Sequence, residues 1–345
     1  MCIGLLLASF VTCAQLARPI PGGRCTYPAG ASVAVQVRVN APIPEFLMTQ
    51  SISWHRLITL ACLSCALTAQ AQSGHLLDRI RSDKKLVLAH RESSVPFSYA
   101  DSQGRPVGYA LEICLQLAKA VQQSLSLDRL EVGYLQVTPA NRIEVIEKGQ
   151  AQLECGSTTN NAARRQQVDF TIPHFITGAR FLVKADSPID RIDHPALRRV
   201  VSTRNTTPLA ALRRIDFERM LRLEIIEAED HQAAVRMVEE GKADAFAMDD
   251  VLLYGLAAGR ADPRALKVVG RFFTTEPLAI MLPRNEPGFK KTVDDEMRRL
   301  IYSGEIQQIY RRWFETPIPP NNVALNLPAS YLLRDLWKYP TDKMP

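Results

Sequence analysis

The residues from about position 76 onward predict an α/β protein of two lobes, each a mostly parallel sheet flanked by helices. Short apolar runs that suit buried strands alternate with stretches in which apolar residues recur at helical spacing. This alternation occurs twice, and in both halves polar segments follow the strand-like runs. Two units with facing strand ends would enclose a cleft, and strand ends are where open α/β sheets bind ligands.

The first lobe is expected to begin with a buried strand, Leu86 to Ala89. A helix with one apolar face follows, because apolar residues recur three and four positions apart: Leu111, Cys114, Leu115, Ala118 and Val121. The next elements are a strand, a helix that Gly149 ends, and a second buried strand, over Leu130 to Val137, Arg142 to Lys148 and Ala151 to Cys155.

The second lobe repeats this order after Phe181. Its predicted strands are Arg199 to Ser202, Leu223 to Ala228 and Ala243 to Met248. Helices are predicted from Pro208 onward and over His231 to Glu240. The strand exits again carry polar residues, at 205–207, 230–231 and 249–250.

The chain is then expected to return to the first lobe. Two amphipathic helices follow an apolar crossing at 276–282, with apolar faces at Phe289, Val293, Met297 and Ile301 and at Ile306, Ile309, Tyr310 and Trp313. The first lobe is predicted to comprise 76–180 and 277–316, and the second 181–276. Two crossings, near Phe181 and Ile280, would act as hinge strands. Residues 317–345 are predicted to be a C-terminal tail packed on the surface.

Residues 48–71 have the pattern of a secretion signal peptide. His55 and Arg56 form a short basic region, Leu57 to Thr68 an apolar one, and the small residues that end at Ala71 suit cleavage. The apolar run is shorter than the ~20 residues of a spanning helix, and the alternatives are a membrane anchor or a buried helix. Residues 1–47 are interpreted as an unstructured extension from a mis-assigned start codon, with a genuine extra leader as the alternative.

The charge balance argues against nucleic acid as a partner. The chain has 42 Lys and Arg against 36 Asp and Glu, and without residues 1–71 these become 38 and 35, with no basic stripe of interleaved aromatic residues. Only Cys114 and Cys155 of the seven cysteines then remain. Two buried free thiols are favoured over a disulfide, because spacing alone does not establish the geometry of a bridge. No close His/Cys cluster indicates a metal site, and no cofactor is expected.

The segment 154–161, followed by Arg164, combines hydroxyls, a glycine and a cation in one loop at a strand exit, which suits a carboxylate. Arg91 and Arg142 also follow strand-like runs, so the ligand is predicted to be an anion with more than one acidic group. The residues alone leave ordinary alternatives open. Arg164 and Arg91 could be solvated surface charges, and Asp249 could be a helix cap.

Several motifs together resemble a known family. They are HRESSVPFSY at 90–99, ECGSTTNN at 154–161, the Asp230–His231 pair and AFAMDD at 245–250. From about residue 76 to its tail, the chain resembles the glutamate/aspartate-binding proteins of bacterial ABC importers, within the type II periplasmic amino-acid-binding family. The resemblance implies the type II periplasmic-binding-protein fold and a periplasmic monomer. It also implies capture of L-glutamate or L-aspartate for delivery to an ABC permease in the inner membrane.

The resemblance implies how the main chain of such a ligand would be held. Arg164 would clamp the α-carboxylate, helped by the hydroxyls and backbone N–H groups of Ser157 and Thr159. Asp249 would accept the α-ammonium, with its neighbour Asp250 as the competitor for this role.

The ligand side chain would be held by a second set of residues. Arg91 and Arg142 match positions that meet the side-chain carboxylate in the resembled proteins, and His231 would lie near it from the second lobe. Thr206 and Thr207, at a helix start, would offer backbone N–H groups to a carboxylate oxygen.

The chain departs from the family pattern at two positions. Pro139 follows Thr138 where close members often have serine, and Asn205 replaces a common glycine. These changes could shift the preference between aspartate and glutamate or toward a related diacid. Binding of another dicarboxylic or polar amino acid is therefore the alternative ligand prediction.

Two other function classes are less favoured by the residues. A dehydratase on the same scaffold would need a general acid or base, for which Glu92, Glu154 and His231 are the nearby candidates, but their spacing forms no catalytic set. The chain is therefore predicted not to be an enzyme and to have no catalytic residues. A sensor domain of a larger receptor would be favoured by a following signalling module, which this sequence does not contain.

Overall fold

Two five-stranded sheets organise the part of the chain that the computed structural model describes, residues 75–343. The interpretations of 1–47 and 48–71 lie outside these residues. The first stretch of the chain supplies α1 (His75–Asp83), β1 (Lys85–Arg91), β2 (Ser93–Ser94), β3 (Ser98–Ala100), β4 (Pro106–Val107), α2 (Tyr109–Ser124), β5 (Glu131–Val137), α3 (Arg142–Glu147), β6 (Leu153–Cys155) and β7 (Val168–Phe170).

The middle of the chain builds the second sheet and its helices. Its elements are β8 (Phe175–Thr177), β9 (Ala179–Lys184), β10 (Arg199–Thr203), α4 (Thr207–Arg219), β11 (Glu224–Ala228), α5 (His231–Glu239), β12 (Ala245–Asp249), α6 (Asp250–Ala258), β13 (Leu266–Val269) and β14 (Glu276–Leu278). The last stretch adds β15 (Met281–Pro283), α7 (Pro287–Tyr302), α8 (Glu305–Phe314), β16 (Pro317–Ile318), β17 (Val323–Ala324) and α9 (Tyr331–Lys338).

The strand orders confirm the predicted pair of mostly parallel sheets. The first sheet runs β5-β1-β6-β15-β7, and the second runs β11-β10-β12-β9-β13. In each sheet a single strand opposes the other four: β15 pairs antiparallel with β6 and β7, and β9 with β12 and β13. These reversed strands are the ones that enter each sheet directly from the other lobe.

The two lobes are joined by β8 and β14, which pair antiparallel with Glu276 opposite Thr177. The chain leaves the first sheet through β8 and returns through β14. Phe181 lies in β9, inside the second sheet, and Ile280 immediately precedes β15. The short β8–β14 ribbon therefore lies between the two sheets and links the lobes.

The helix faces follow the apolar periodicity in most places. In α7, Phe289, Val293, Met297 and Ile301 are all buried, as the spacing predicts. In α2 the prediction is wrong at Leu115, which is 39% exposed. The other four predicted positions, 111, 114, 118 and 121, are buried together with 110, 113 and 117, and Leu115 projects away from this face.

The two cysteines are joined by a disulfide, so the prediction of two free thiols is wrong. Cys114 lies in α2 and Cys155 ends β6, and their Cα atoms are 6.1 Å apart. This separation lies in the range that a bridge requires. The disulfide thus attaches α2 to the strand that leads into the 154–161 loop.

Residues after α8 contact both lobes. Ser330 caps the start of α9, because its hydroxyl accepts the N–H of Leu333 at 3.1 Å, and the helix buries Leu333 and Leu336. Among residues 75–343, no helix is both long and apolar enough to cross a membrane. The same residues contain no group of three or more His, Cys, Asp or Glu side chains that could hold a metal ion.

Candidate functional site

Residues of both lobes line one cavity, and this set includes all nine sequence-predicted site residues. The first lobe contributes Arg91, Arg142, Ser157, Thr159 and Arg164, and the second contributes Thr206, Thr207, Pro208, His231, Met248, Asp249 and Leu252. The structure therefore brings the predicted residues together. None of them lies elsewhere.

The three arginines reach the cavity from ends of first-lobe elements. Arg91 is the last residue of β1, Arg142 is the first of α3, and Arg164 begins a short 3₁₀ helix after the loop that follows β6. All three side chains are buried. Because β1 and β6 are parallel neighbours, their carboxyl ends lie at the same edge of the sheet and deliver two of the guanidinium groups to one place.

Arg91 is oriented by contacts on both sides of the cavity. Its backbone N–H donates to Ser98 Oγ at 2.9 Å, and its Nη2 lies 3.4 Å from His231 Nε2. An arginine can only donate, so His231 Nε2 is the acceptor and the Nδ1–H donates to Thr203 Oγ1 at 2.8 Å. Burial, with smaller effects of Arg91 and Arg142, holds the pKa of His231 well below its usual value of 6.5. His231 is therefore a neutral partner for the arginine.

Arg142 and Arg164 are held by backbone carbonyls. Arg142 Nη1 donates to Pro139 O at 2.6 Å, and Arg164 Nη1 donates to Thr159 O at 2.8 Å. Both also approach Asn205 O in the second lobe, at 3.3 Å from Arg142 Nη2 and 3.5 Å from Arg164 Nη2. The carbonyls fix the directions of the guanidinium groups and leave them their positive charge.

Asn205 and Pro139, the two departures from the family pattern, act through their backbones. Asn205 has a φ of 58°, the left-handed region that glycine and asparagine adopt most readily. This conformation lets its carbonyl face Arg142 and Arg164. The contacts of these two residues with the cavity arginines are therefore made by backbone carbonyls.

The three cations are close enough to influence one another. Burial, followed by the charge of Arg142, lowers the pKa of Arg164 to about 9, and burial and Arg142 likewise lower the pKa of Arg91 to about 9. Burial also lowers the pKa of Arg142, against the charges of Glu154 and Asp249. All three remain cationic at neutral pH, in a setting where an anion would relieve their mutual repulsion.

Glu154 is a buried carboxylate beside these cations. It lies in β6, is 0% exposed, and within the described residues neither of its carboxylate oxygens has a hydrogen-bond partner. A Cβ at Gly156 would lie 2.3 Å from Glu154 Oε1 and 3.0 Å from Arg91 Cγ. Gly156 therefore permits the close approach of this carboxylate to Arg91, and Glu154 stabilises the arginines through charge.

Asp249 is the second-lobe carboxylate that faces the cavity. It precedes α6, yet its side chain makes no capping hydrogen bond, and its Oδ1 has no partner within residues 75–343. Burial, then the charges of Glu276 and Asp250, raise its pKa well above the usual value of 3.8. Asp250 is occupied elsewhere, because Thr177 Oγ1 donates to its Oδ1 at 2.6 Å. The helix-cap alternative for Asp249 and the competing role of Asp250 are therefore both disfavoured.

The four predicted hydroxyl residues have different surroundings. Thr206 caps α4, since its Oγ1 accepts the Leu209 N–H at 3.4 Å and donates to Thr203 O at 2.6 Å. Thr159 and Thr207 donate to the same oxygen, Oε2 of Glu276, at 2.7 and 2.6 Å. Ser157 lines the cavity and is buried.

Sequence reasoning missed Glu276 and the charge role of Glu154. A weak signal for Glu154 exists, because an acidic residue between Leu153 and Cys155 interrupts an otherwise apolar strand. Glu276 gives no comparable signal. Its contacts join residues 117 and 69 positions away in the sequence, and no local pattern encodes such pairings.

The two-lobed α/β fold is that of the type II periplasmic binding proteins, and the polar cavity lies between its lobes. The chain belongs to the bacterial extracellular solute-binding proteins, family 3, whose family model matches residues 86–316. The resemblance predicted from the motifs is thereby confirmed.

Particular relatives cover most of the chain. An L-glutamate/L-aspartate-binding protein of Pseudomonas aeruginosa is 38% identical over 287 residues, which is 83% of this chain and 95% of the relative. A glutamate/aspartate import solute-binding protein of Escherichia coli is 37% identical over 283 residues, 82% of this chain and 94% of the relative.

Solved structures show the same fold at low identity. A mutant arginine-binding protein from T. maritima has a TM-score of 0.61 at 18% identity, over 69% of this chain and 99% of its own. A solute receptor for L-cysteine of Neisseria gonorrhoeae has a TM-score of 0.60 at 19% identity, over 69% of this chain and 92% of its own. These structures support the fold alone.

Proposed function

We propose that this protein is the periplasmic receptor of an ABC importer and captures L-glutamate or L-aspartate between its lobes. The observation that carries the proposal is the convergence of three buried guanidinium groups and one buried carboxylate, Asp249, on a single cavity. An acidic amino acid offers two carboxylates and one ammonium, which match these groups in sign. The names of the relatives that cover most of the chain support the same ligand class.

The α-carboxylate would bind Arg164 from the first lobe and the start of α4 from the second. A planar guanidinium can grip both oxygens of a carboxylate, and free backbone N–H groups at a helix start favour an anion. Ser157 would contribute from the first lobe, and the backbone N–H groups of Thr206 and Thr207 would contribute from the second. The α-ammonium would donate to Asp249, whose free Oδ1 supports this role.

The side-chain carboxylate would bind Arg91 and Arg142. His231 accepts from Arg91 and is neutral, so it fixes the guanidinium without competing for the ligand charge. Glutamine would leave these buried cations without a charged partner, which is the physical basis for its rejection.

Ligand capture would couple to closure of the lobes. Ligand contacts from both walls are completed only when the walls approach, so binding favours the closed form that a permease can recognise. We infer that the protein acts as a monomer in the periplasm after cleavage near Ala71. We also infer that it binds without catalysis, which the names of the relatives that cover most of the chain support.

Calorimetric titration of the purified protein, stripped of co-purified ligand by unfolding and refolding, tests the proposal. L-glutamate and L-aspartate should bind tightly, and L-glutamine and citrate should not. Tight binding of glutamine, or of citrate alone, would refute the assignment of the three arginines to an acidic amino acid.

A further inference from the structure

Glu276 forms a buried hydrogen-bonded triangle with two hydroxyls that line the cavity. It is the first residue of β14, in the ribbon between the lobes, and is 2% exposed. Thr159 Oγ1 of the first lobe and Thr207 Oγ1 of the second lie 2.7 and 2.6 Å from its Oε2. The two hydroxyl oxygens are 3.1 Å apart. Glu276 lies behind the hydroxyls and is not among the residues that line the cavity.

The number of protons in this triangle decides what the hydroxyls can do. Each threonine hydroxyl has one proton to donate and two lone pairs that can accept. If both protons point to the carboxylate, the two charge-assisted bonds use them both. If one hydroxyl instead donates to the other, which then donates to Glu276, both protons are again used inside the triangle. In either arrangement, Thr159 and Thr207 present only acceptor lone pairs to the cavity.

The charges around the triangle also favour a hydrogen-bond donor on this side of the cavity. Asp249, which lines the same cavity, has an unpartnered Oδ1 within the described residues. After burial, the charge of Glu276 is the next largest cause of the raised pKa of Asp249, so the two acidic side chains lie near one another. Two neighbouring acidic side chains and two acceptor hydroxyls favour a cationic donor at this place and disfavour an anion.

We propose that Glu276 is a positioning residue that holds the Thr159 and Thr207 hydroxyls as acceptors and thereby makes this side of the cavity specific for the α-ammonium of an amino acid. The inference rests on the proposed function, since it requires an amino acid as ligand. It assigns the two hydroxyls to the ammonium, whereas the family resemblance implied that the Thr159 hydroxyl helps to hold the carboxylate.

The triangle itself can be tested without ligand, by urea denaturation of Glu276→Met, Thr207→Val and the double variant. Both single changes break the same hydrogen bond, so the double variant should lower the midpoint by clearly less than the sum of the two single effects. Additive effects would overturn the inference. The exposed Glu315, changed to Met, serves as a control for loss of a glutamate and should not couple to Thr207→Val.

The ammonium specificity can be tested by comparing L-glutamate with glutarate, which lacks the ammonium, by calorimetry. In Glu276→Met the ratio of the two affinities should fall about tenfold or more, because the hydroxyls are free to rotate their protons into the cavity. Glu276→Gln retains a carbonyl oxygen that can accept both protons, so it should keep most of the wild-type ratio. If Glu276→Met does not fold, Thr207→Val should lower the ratio with Glu276 in place.

The outcomes separate this inference from the proposed function. If the wild-type protein prefers L-glutamate to glutarate and Glu276→Met weakens both ligands equally, Glu276 has only a structural role and the inference is wrong. An equal fall in the ratio of L-glutamate to glutarate affinity in Glu276→Gln and Glu276→Met would also overturn the inference. The charge of Glu276, rather than the direction of the hydroxyl protons, would then determine the preference for the ammonium. If the wild-type protein binds no amino acid, the proposed function fails first and the inference fails with it.

Discussion

The two walls of the cavity differ in charge. The first-lobe wall has three guanidinium groups, from Arg91, Arg142 and Arg164, whereas the described lining residues of the second wall include no arginine or lysine. The second wall offers instead the start of α4, the neutral His231 and the carboxylate of Asp249. One wall is therefore strongly cationic, and the other combines hydrogen-bonding groups with a single acid.

This difference indicates a division of work between the lobes. Arg142 and Arg164 are held by first-lobe carbonyls, and Glu154 of the same lobe stabilises all three cations through charge. The second lobe contacts them mainly through Asn205 O and His231. The first wall would attract the two carboxylates of a ligand. The second wall would bind the ammonium of that ligand through Asp249. Changes on the first wall should accordingly affect affinity more than changes on the second.

The largest expected effect comes from Arg164→Ala on the cationic wall. Removing one partner of a buried ion pair costs ~3–5 kcal/mol, which corresponds to a roughly 10²–10³-fold or greater increase in Kd. Calorimetry with L-glutamate measures this loss, and circular dichroism checks that the variant is folded. Arg129→Ala, at an exposed position in the same lobe, should bind as the wild-type protein does. Near-normal affinity of Arg164→Ala would contradict the assigned role of this wall.

On the second wall, Asp249→Asn should have a smaller effect that depends on the ligand. The amide replaces a charged acceptor with a neutral one, and hydrogen bonds to charged groups contribute about 1.5–3 kcal/mol, or roughly 10- to 150-fold in Kd. Affinity for L-glutamate should fall by this amount, while affinity for glutarate should not fall. A parallel loss for both ligands would show that Asp249 does not meet the ammonium.

His231 gives the second wall a pH dependence that can be measured without ligand. Its pKa is lowered in the folded protein, mainly by burial, so below pH 6.5 the unfolded chain binds a proton that the folded one does not. The free energy of unfolding should therefore fall as the pH drops below 6.5, by up to about 1.4 kcal/mol per pH unit from this residue.

His231→Gln should reduce this slope, as measured by urea denaturation at pH 7.5 and pH 5. The remaining slope is expected because burial also lowers the pKa of His90 and that of His174, the latter to about 3. Identical slopes in the variant and the wild-type protein would indicate that His231 is not buried as a neutral group.

The accuracy of the sequence predictions depends on whether a feature is local. The buried face of α7 follows from the spacing of Phe289 to Ile301, and the strand exits follow from apolar runs, so both are visible in a short window. The Cys114–Cys155 bridge and the Glu276 triangle depend on how distant elements pack, which spacing does not encode. The family resemblance supplied the site residues, but it could not supply the directions of their protons.

Asn205 provides the smallest expected effect and tests whether a departure from the family pattern matters. Its carbonyl, and not its side chain, approaches Arg142 and Arg164, and its φ of 58° suits glycine as well. Asn205→Gly should therefore change the Kd for L-glutamate by about twofold at most, the scale of backbone entropy effects of ~0.4 kcal/mol. Asn205→Val should weaken L-glutamate binding more, by about 1–2 kcal/mol. A β-branched residue resists this backbone conformation, so the carbonyl would move. If Asn205→Gly instead changed the preference between glutamate and aspartate, the asparagine side chain itself would be a determinant of ligand choice. The second wall would then recognise more of the ligand than its ammonium.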